Sequence, residues 1–347
     1  MYTDEDLDNA VKQGIFSASA VAEFRLQHAR LTDTAAVDEE NFRLIGGFND
    51  IFVVIACTLL LLSSWWVLES HAVLAWGVFS ALAWGLAEFF VRRRRMALPA
   101  IVLLLAFVAG IAMLVQNLMS GTPQETAVWA TGISALAAYW HWRRFQVPIT
   151  VAAGTAALIA FSLSGLLNIF PTLEKSLWLV LLVAGISAFA YAMYWDASDR
   201  GRTTRRSDVA FWLHLLAAPL IIHPIFSGLG ILDGEESIGS LLVVILLYLT
   251  MTAMSLAIDR RAFMVSSLIY VLYALSSLFN VYGFVGYSFA LTGVVIGTAL
   301  LLLSAFWHSS RKRLVLLLPQ NVQRLLPPAD QGSILVVSNA NSEELKE

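Results

Sequence analysis

Apolar residues fall along this chain in ten long runs, at about 51–68, 72–91, 98–118, 127–142, 147–170, 176–195, 209–227, 238–258, 262–280 and 287–307. About 20 helical residues cross a hydrocarbon core of roughly 30 Å, so each run predicts a transmembrane helix, the shorter ones with some tilt or local thinning. Pro99 and Pro148 open spans, where no intrahelical N–H is lost, and Pro171 follows one. Trp65, Trp66, Trp129, Trp140, Trp142, Trp178, Trp195 and Trp307 all fall near predicted ends, as interfacial anchors do. The pattern predicts an all-α polytopic membrane protein whose ten transmembrane helices form five hairpins.

Charge sets the orientation. Positive residues gather at every second junction: Arg92 to Arg95, Arg143 and Arg144, Arg200 to Arg206, Arg260 and Arg261, and Arg311 to Arg313. These five places hold fifteen of the 22 Lys and Arg residues, and the alternate junctions hold only Lys175. Positive loops stay on the cytoplasmic side during insertion, so both termini are expected inside (N-in/C-in). The chain then divides into a small acidic cytoplasmic helical segment over 1–45, a ten-span domain over 46–310, and an interfacial segment with a disordered cytoplasmic tail over 311–347.

Composition agrees with lipid as the main solvent: 58% of residues are hydrophobic and 14% charged, against roughly 25% charged in a soluble domain. The formal net charge of −3 carries no nucleic-acid signal. A single cysteine, Cys57, excludes an intrachain disulfide. About 45 polar residues precede the first apolar run, so no cleavable signal peptide is expected.

Ionisable groups inside spans are costly and each needs a reason. Glu88 lies four residues before Arg92, where an i,i+4 ion pair at the interface is the structural expectation and a proton-accepting carboxylate the functional one. The seventh span holds His214 and, five residues on, Pro219, which removes a backbone hydrogen bond and predicts a kink. A kinked helix with an ionisable group beside the break is how many transporters build a site. His214, Pro219 and Glu88 are therefore the candidate transport and proton site. The structural alternative has His214 bonded to a neighbouring carbonyl or serine. His71 and His223 form a candidate polar pair at the outer end. Arg200, Arg202, Arg205 and Arg206, in the longest inner loop, are candidates for anionic headgroups.

No two histidines have ligand spacing along one helix, so no metal, haem or other cofactor is expected. No Walker loop, nucleophile elbow, HExxH or paired intramembrane carboxylates are present, which leaves enzymatic chemistry without a carrier. Ser80-Ala81-Leu82-Ala83, Ser134-Ala135-Leu136-Ala137 and Ser187-Ala188-Phe189-Ala190, continued less faithfully at Ser255 and Ser304, suggest a repeated hairpin. Gly293 with Gly297, and Ala106 with Gly110, are small-residue pairs for helix packing within the chain or in a homo-oligomer.

The polar ends complete the reading. Thr3 caps a helix to about Gln13 that Gly14 ends, and Ser17 or Ser19 starts a second through about Leu31. A third helix runs from about Val37 into the first span. Acidic residues outnumber basic ones ten to four over 1–50, so this segment stands off an anionic leaflet, docking on inner loops or binding a cytoplasmic partner. The run from Arg313 to Leu326, broken by Pro319, is too short to span and is expected in the interface.

The chain resembles polytopic bacterial inner-membrane proteins of unknown function. The resemblance rests on the opening Leu7-Asp8-Asn9-Ala10-Val11-Lys12-Gln13-Gly14-Ile15-Phe16-Ser17, the lead Glu39-Glu40-Asn41-Phe42-Arg43-Leu44 into Phe48-Asn49-Asp50-Ile51-Phe52, and the Leu-Pro-Pro ending. It implies a bacterial inner membrane and carries over no catalytic residue. Two expectations of function follow: a small-solute or lipid permease using the kinked seventh span, or a non-transporting scaffold or sensor acting through its acidic head.

Overall fold

The computed structural model describes residues 4–32, 48–199, 202, 204–228, 238–281, 288–323 and 326. Every described element is helical. Thr3, the segment 33–47 with its expected third helix, Arg200, and the tail beyond Leu326 lie outside the described residues.

The head is a short helical pair, α1 (Asp4–Lys12) and α2 (Ala18–Thr32). Gly14, at a φ of 73°, makes the left-handed exit from α1, and Ile15 N donates to Ala10 O at 2.9 Å. Ser17 caps α2, its Oγ accepting from Ala20 N. Val21 is the buried contact of this pair, and Arg25 meets Asp8 at 3.1 Å.

Each apolar run is a helix. They are α3 (Phe48–Val67), α4 (Ala72–Ala87) continued by a π-helical turn (Glu88–Arg93), α5 (Ala97–Leu118), α6 (Pro123–Phe145), α7 (Ile149–Ile169), α8 (Leu177–Ser198), α9 (Arg205–Gly228), α10 (Ile238–Ile258), α11 (Ala262–Val281) and α12 (Ser288–Ala305). Among the described residues, six are long and apolar enough to cross a membrane: α3, α4 with its π turn, α5, α7, α8 with the 3₁₀ turn before it, and α9. Near Phe306 the chain bends by 74° into α13 (Trp307–Leu317), and this bent pair would make a seventh. After Pro319 a last turn, α14 (Gln320–Gln323), follows. α6 is long enough but too polar to qualify, because Tyr139, Trp140, His141, Trp142, Arg143 and Arg144 crowd one end. α6 begins with a capping box in which Thr122 Oγ1 accepts from Glu125 N and Glu125 accepts from Thr122 N.

Of the five expected hairpins, α5 with α6 packs extensively, α3 with α4 and α11 with α12 less so, and α7 meets α8 only slightly. The most extensive packing is α8 on α9, α6 on α7 and α4 on α5, then α5 on α6 and α10 on α11; four of these five pairs are joined at a basic turn, and α5 with α6 at a turn without basic residues. Each of these basic turns contains one non-glycine residue in the left-handed region: Arg95, Gln146, Arg202 and Asp259, at φ between 52° and 63°. Such a conformation costs about 1–2 kcal/mol per residue, so local bonds must hold it. Gln146, for example, returns both its backbone N and its Nε2 to Trp142 O. Glycines let the paired backbones approach. A Cβ on Gly110 would meet Ser80 Oγ at 2.5 Å, one on Gly154 would meet the Ala138 Cβ at 3.4 Å, and one on Gly185 would meet the Leu220 backbone at 2.7 Å. The Ala106–Gly110 pair therefore serves packing within the chain, whereas Gly293 and Gly297 face open space. The serine series divides in the same way. Ser80, Ser134 and Ser255 are buried, and Ser187 and Ser304 are exposed.

Gly185→Ala should force α8 and α9 apart against a rigid backbone, at a cost of about 1–3 kcal/mol. Gly165→Ala, where nothing lies within 4 Å, should be neutral or slightly stabilising. Thermal melting in one detergent compares the two; equal melting temperatures would contradict the close α8–α9 approach.

Candidate functional site

At the basic end of α8 to α13, two carboxylates with almost no access to water collect the polar groups of four segments. Asp196, in the last turn of α8, is 2% exposed, and Asp259, in the α10–α11 turn, is also 2% exposed. Leaving a carboxylate uncompensated in a low-dielectric interior costs several kcal/mol, so each must draw in cations.

Asp196 divides its two oxygens between two partners. Oδ2 lies 2.9 Å from His214 Nε2 on α9, and Oδ1 accepts from Arg260 Nη2 at 2.8 Å. An ionised carboxylate only accepts, so Nε2 carries the imidazole proton in this pair. His214 is wholly buried, its ring against Phe189 and Phe263, and its Nδ1 has no hydrogen-bond partner among the described residues. The same Arg260 nitrogen also donates to Ser207 Oγ at 2.9 Å and Ser207 O at 3.1 Å, pinning the start of α9. Ser255 Oγ donates to Arg260 O, which closes the turn locally.

Asp259 serves the neighbouring segments. Its Oδ2 accepts from Arg202 Nη1 at 3.1 Å, while Arg202 Nη2 reaches Ile258 O and Asp259 O at 3.0 and 3.3 Å. Its Oδ1 accepts from Trp307 Nε1 at 2.9 Å and lies 3.4 Å from Arg311 Nε. Trp307 and Arg311, one turn apart, form the buried face of α13, and Arg261 lies over the Trp307 ring at 5.1 Å. The loop from α8 is folded onto itself, with Asp199 Oδ2 accepting from the N and Oγ1 of Thr204. Adjacent residues in the α10–α11 turn thus clamp both sides: Arg260 holds α8 and α9, and Asp259 holds the α8–α9 loop and α13.

The candidate residues read from the sequence separate. His214 and Glu88 are not brought together. Glu88 instead takes a bidentate pair from Arg144 at the end of α6, Nε to Oε1 at 2.6 Å and Nη2 to Oε2 at 3.0 Å. The expected Arg92 contact is present at a longer 3.5 Å. The expected carbonyl or serine partner of His214 is replaced by the Asp196 carboxylate. Pro219 lies inside α9, which continues as one helix through both Pro219 and Pro224. His71 and His223 are exposed and apart in their bonding: His71 Nδ1 meets Ser70 Oγ at 2.9 Å, and His223 Nδ1 meets Tyr270 O–H at 2.6 Å. Of the headgroup candidates, Arg202 is buried against Asp259 and Arg205 and Arg206 are exposed.

Sequence reasoning passed over Asp196, Asp259, Arg260, Arg311 and Trp307. A signal was present: Asp196 and Asp259 are acids that directly follow an apolar run, at junctions that also carry arginines. Topology arguments ignore such acids because carboxylates contribute little to orientation. Among the described residues no group of three or more His, Cys, Asp or Glu is placed to hold a metal ion. No known family, no characterised protein and no solved structure matches the chain.

Replacing Arg260 by Met should leave Asp196 with His214 alone and lower stability by about 3–5 kcal/mol, whereas Trp307→Phe removes one bond to a charged acceptor, about 1.5–3 kcal/mol. Melting in detergent ranks the variants; a smaller loss for Arg260→Met than for Trp307→Phe would show that Asp196 is not the stronger anchor.

Proposed function

We propose that the chain is a ten-span, N-in and C-in protein of a bacterial inner membrane that carries a small solute or lipid, with the Asp196–Asp259 cluster as its inner closure. The carrying observation is that charged groups from α8, α9, the α10–α11 turn and α13 converge on two buried carboxylates. Well-packed apolar side chains would join these segments at least as strongly, since desolvation offsets most of the gain from a buried ion pair. Ionic contacts have a different merit: they exchange for water when helices separate, which suits an end that opens and closes around a central site. The Asp196–His214 pair supplies the protonatable element, one helical turn and more from Pro219. In this reading the bundle is closed at its basic end, with His214 sealed from water.

Membrane opening can be measured without knowing the substrate. With Cys57 replaced by Ser, a cysteine at Ala217, which is wholly buried on α9, should react slowly with a small water-soluble thiol reagent. Asp259→Asn should raise that rate at least tenfold by weakening the closure, while Arg206→Cys at the exposed turn reacts quickly in both backgrounds. If Ala217→Cys stays inert in both, the bundle does not open there and transport through it is ruled out.

One observation favours a second reading, a scaffold or sensor. The acidic head leaves Ile15, Phe16 and Phe24 at least half exposed, and exposed apolar side chains on a segment of about 45 residues suit a cytoplasmic protein partner. Phe16→Ser with Phe24→Ser should then abolish co-purification of that partner. An unchanged set of co-purified proteins would remove this reading.

A further inference from the structure

The outward face of α4 carries small residues along its length. Its buried side, Ala75, Phe79, Ala83, Ala87 and Val91, packs inward. On the opposite side Gly77, Ala81 and Gly85 recur every four residues, with Ala81 and Gly85 exposed. A Cβ built on Gly85 would meet no atom within 4 Å. Two clefts lie end to end along this face. One, of about 740 Å³, runs from His71 to Ala81 with Leu114 of α5 as its wall and is almost wholly apolar. The other, of about 430 Å³, is lined by Gly85, Glu88, Phe89, Arg92 and Arg93 at the basic end.

The second cleft is built for one kind of occupant. The π turn widens the helix and brings both Arg92 and Arg93 to the face of Gly85 and Glu88. Glu88 would ordinarily neutralise them, but both its oxygens are taken bidentately by Arg144. Arg92 keeps only the 3.5 Å contact, and its side chain is 54% exposed. Two guanidinium groups at the basic end therefore face outward above a groove in which Gly85 has no side chain and Ala81 only a methyl. From Arg92 to Ala81 the groove runs for roughly 16 Å at 1.5 Å per residue, about the depth of one leaflet of a 30 Å hydrocarbon core.

We propose that this face is a binding site for one anionic phospholipid of the leaflet at the basic end. Its phosphate is held by Arg92 and Arg93, and an acyl chain lies along Gly85 and Ala81. Charge complementarity selects the lipid: the phosphate meets a pair of guanidiniums suited to it, and the absence of side chains at Gly85 and Gly77 admits a chain that bulkier residues would exclude. This site is separate from the Arg200–Arg206 loop and from the Asp196–Asp259 cluster, and does not depend on transport.

Native mass spectrometry of delipidated full-length protein in mild detergent, titrated with phosphatidylglycerol or phosphatidylcholine, tests it. One phosphatidylglycerol should bind wild type in preference to phosphatidylcholine, and millimolar inorganic phosphate should not displace it. Arg92→Gln with Arg93→Gln, and separately Gly85→Leu, should each weaken phosphatidylglycerol at least tenfold without lowering the melting temperature. The charge-matched pair Arg143→Gln with Arg313→Gln, at exposed positions elsewhere, should bind as wild type does. Equal binding by the Arg92/Arg93 variant and wild type would overturn the proposal. So would displacement by phosphate alone, or a wild-type dimer lost in Gly85→Leu, which would assign the groove to a second copy.

Discussion

A carboxylate shut away from water must be surrounded by donors, and that requirement organises the basic end of α8 to α13. Asp196 and Asp259 are each satisfied from two directions, so neither helix pair can adjust without the other. The left-handed backbone at Asp259 and at Arg202, unfavourable by itself, is held because the two side chains bond each other. The 74° bend into α13 has the same origin: Trp307 and Arg311 must turn inward to reach Asp259.

The two halves of the bundle solve the same packing problem with different chemistry. Around α4 to α7 the polar centre is His141, wholly buried within rings of Trp84, Phe107 and Phe145, with Thr150 Oγ1 at 3.3 Å from Nδ1. The nearest ionic link there is Glu88 with Arg144, at the edge and partly exposed. Around α8 to α11 the centre is ionic and dry. Aromatic packing is insensitive to small separations of charge and water, whereas an ionic cluster changes state when water enters. A moving part, if the bundle has one, is therefore better placed in the second half, beside the prolines of α9.

The backbone pairs are held by a different interaction. In lipid no hydrophobic force drives helices together, so close approach at Gly110, Gly154 and Gly185 provides dispersion contact that longer side chains would prevent. That contact lies within α4–α5, α6–α7 and α8–α9, the three most closely packed pairs. Where a glycine has no neighbour, as at Gly85, no helix among the described residues packs against it.

Much of the architecture was legible without coordinates. Ten apolar runs became ten helices because period and length are local properties, and the ends of α1 and α2 at Gly14 and Ser17 follow from backbone sterics and side-chain capping. That His214 needs a polar partner was also legible, since an ionisable group within an apolar run demands one. The identity of that partner was not. His214 to Asp196, Arg260 to Asp196 and Arg202 to Asp259 join residues separated by 18, 64 and 57 positions. The Arg144–Glu88 pair likewise spans 56 positions. Charge at a junction looks the same in sequence whether it is solvated, bound to lipid or buried. Helix existence rests on neighbours along the chain, which the sequence contains directly; which carboxylate meets which arginine rests on helix pairing, and only tertiary packing decides that.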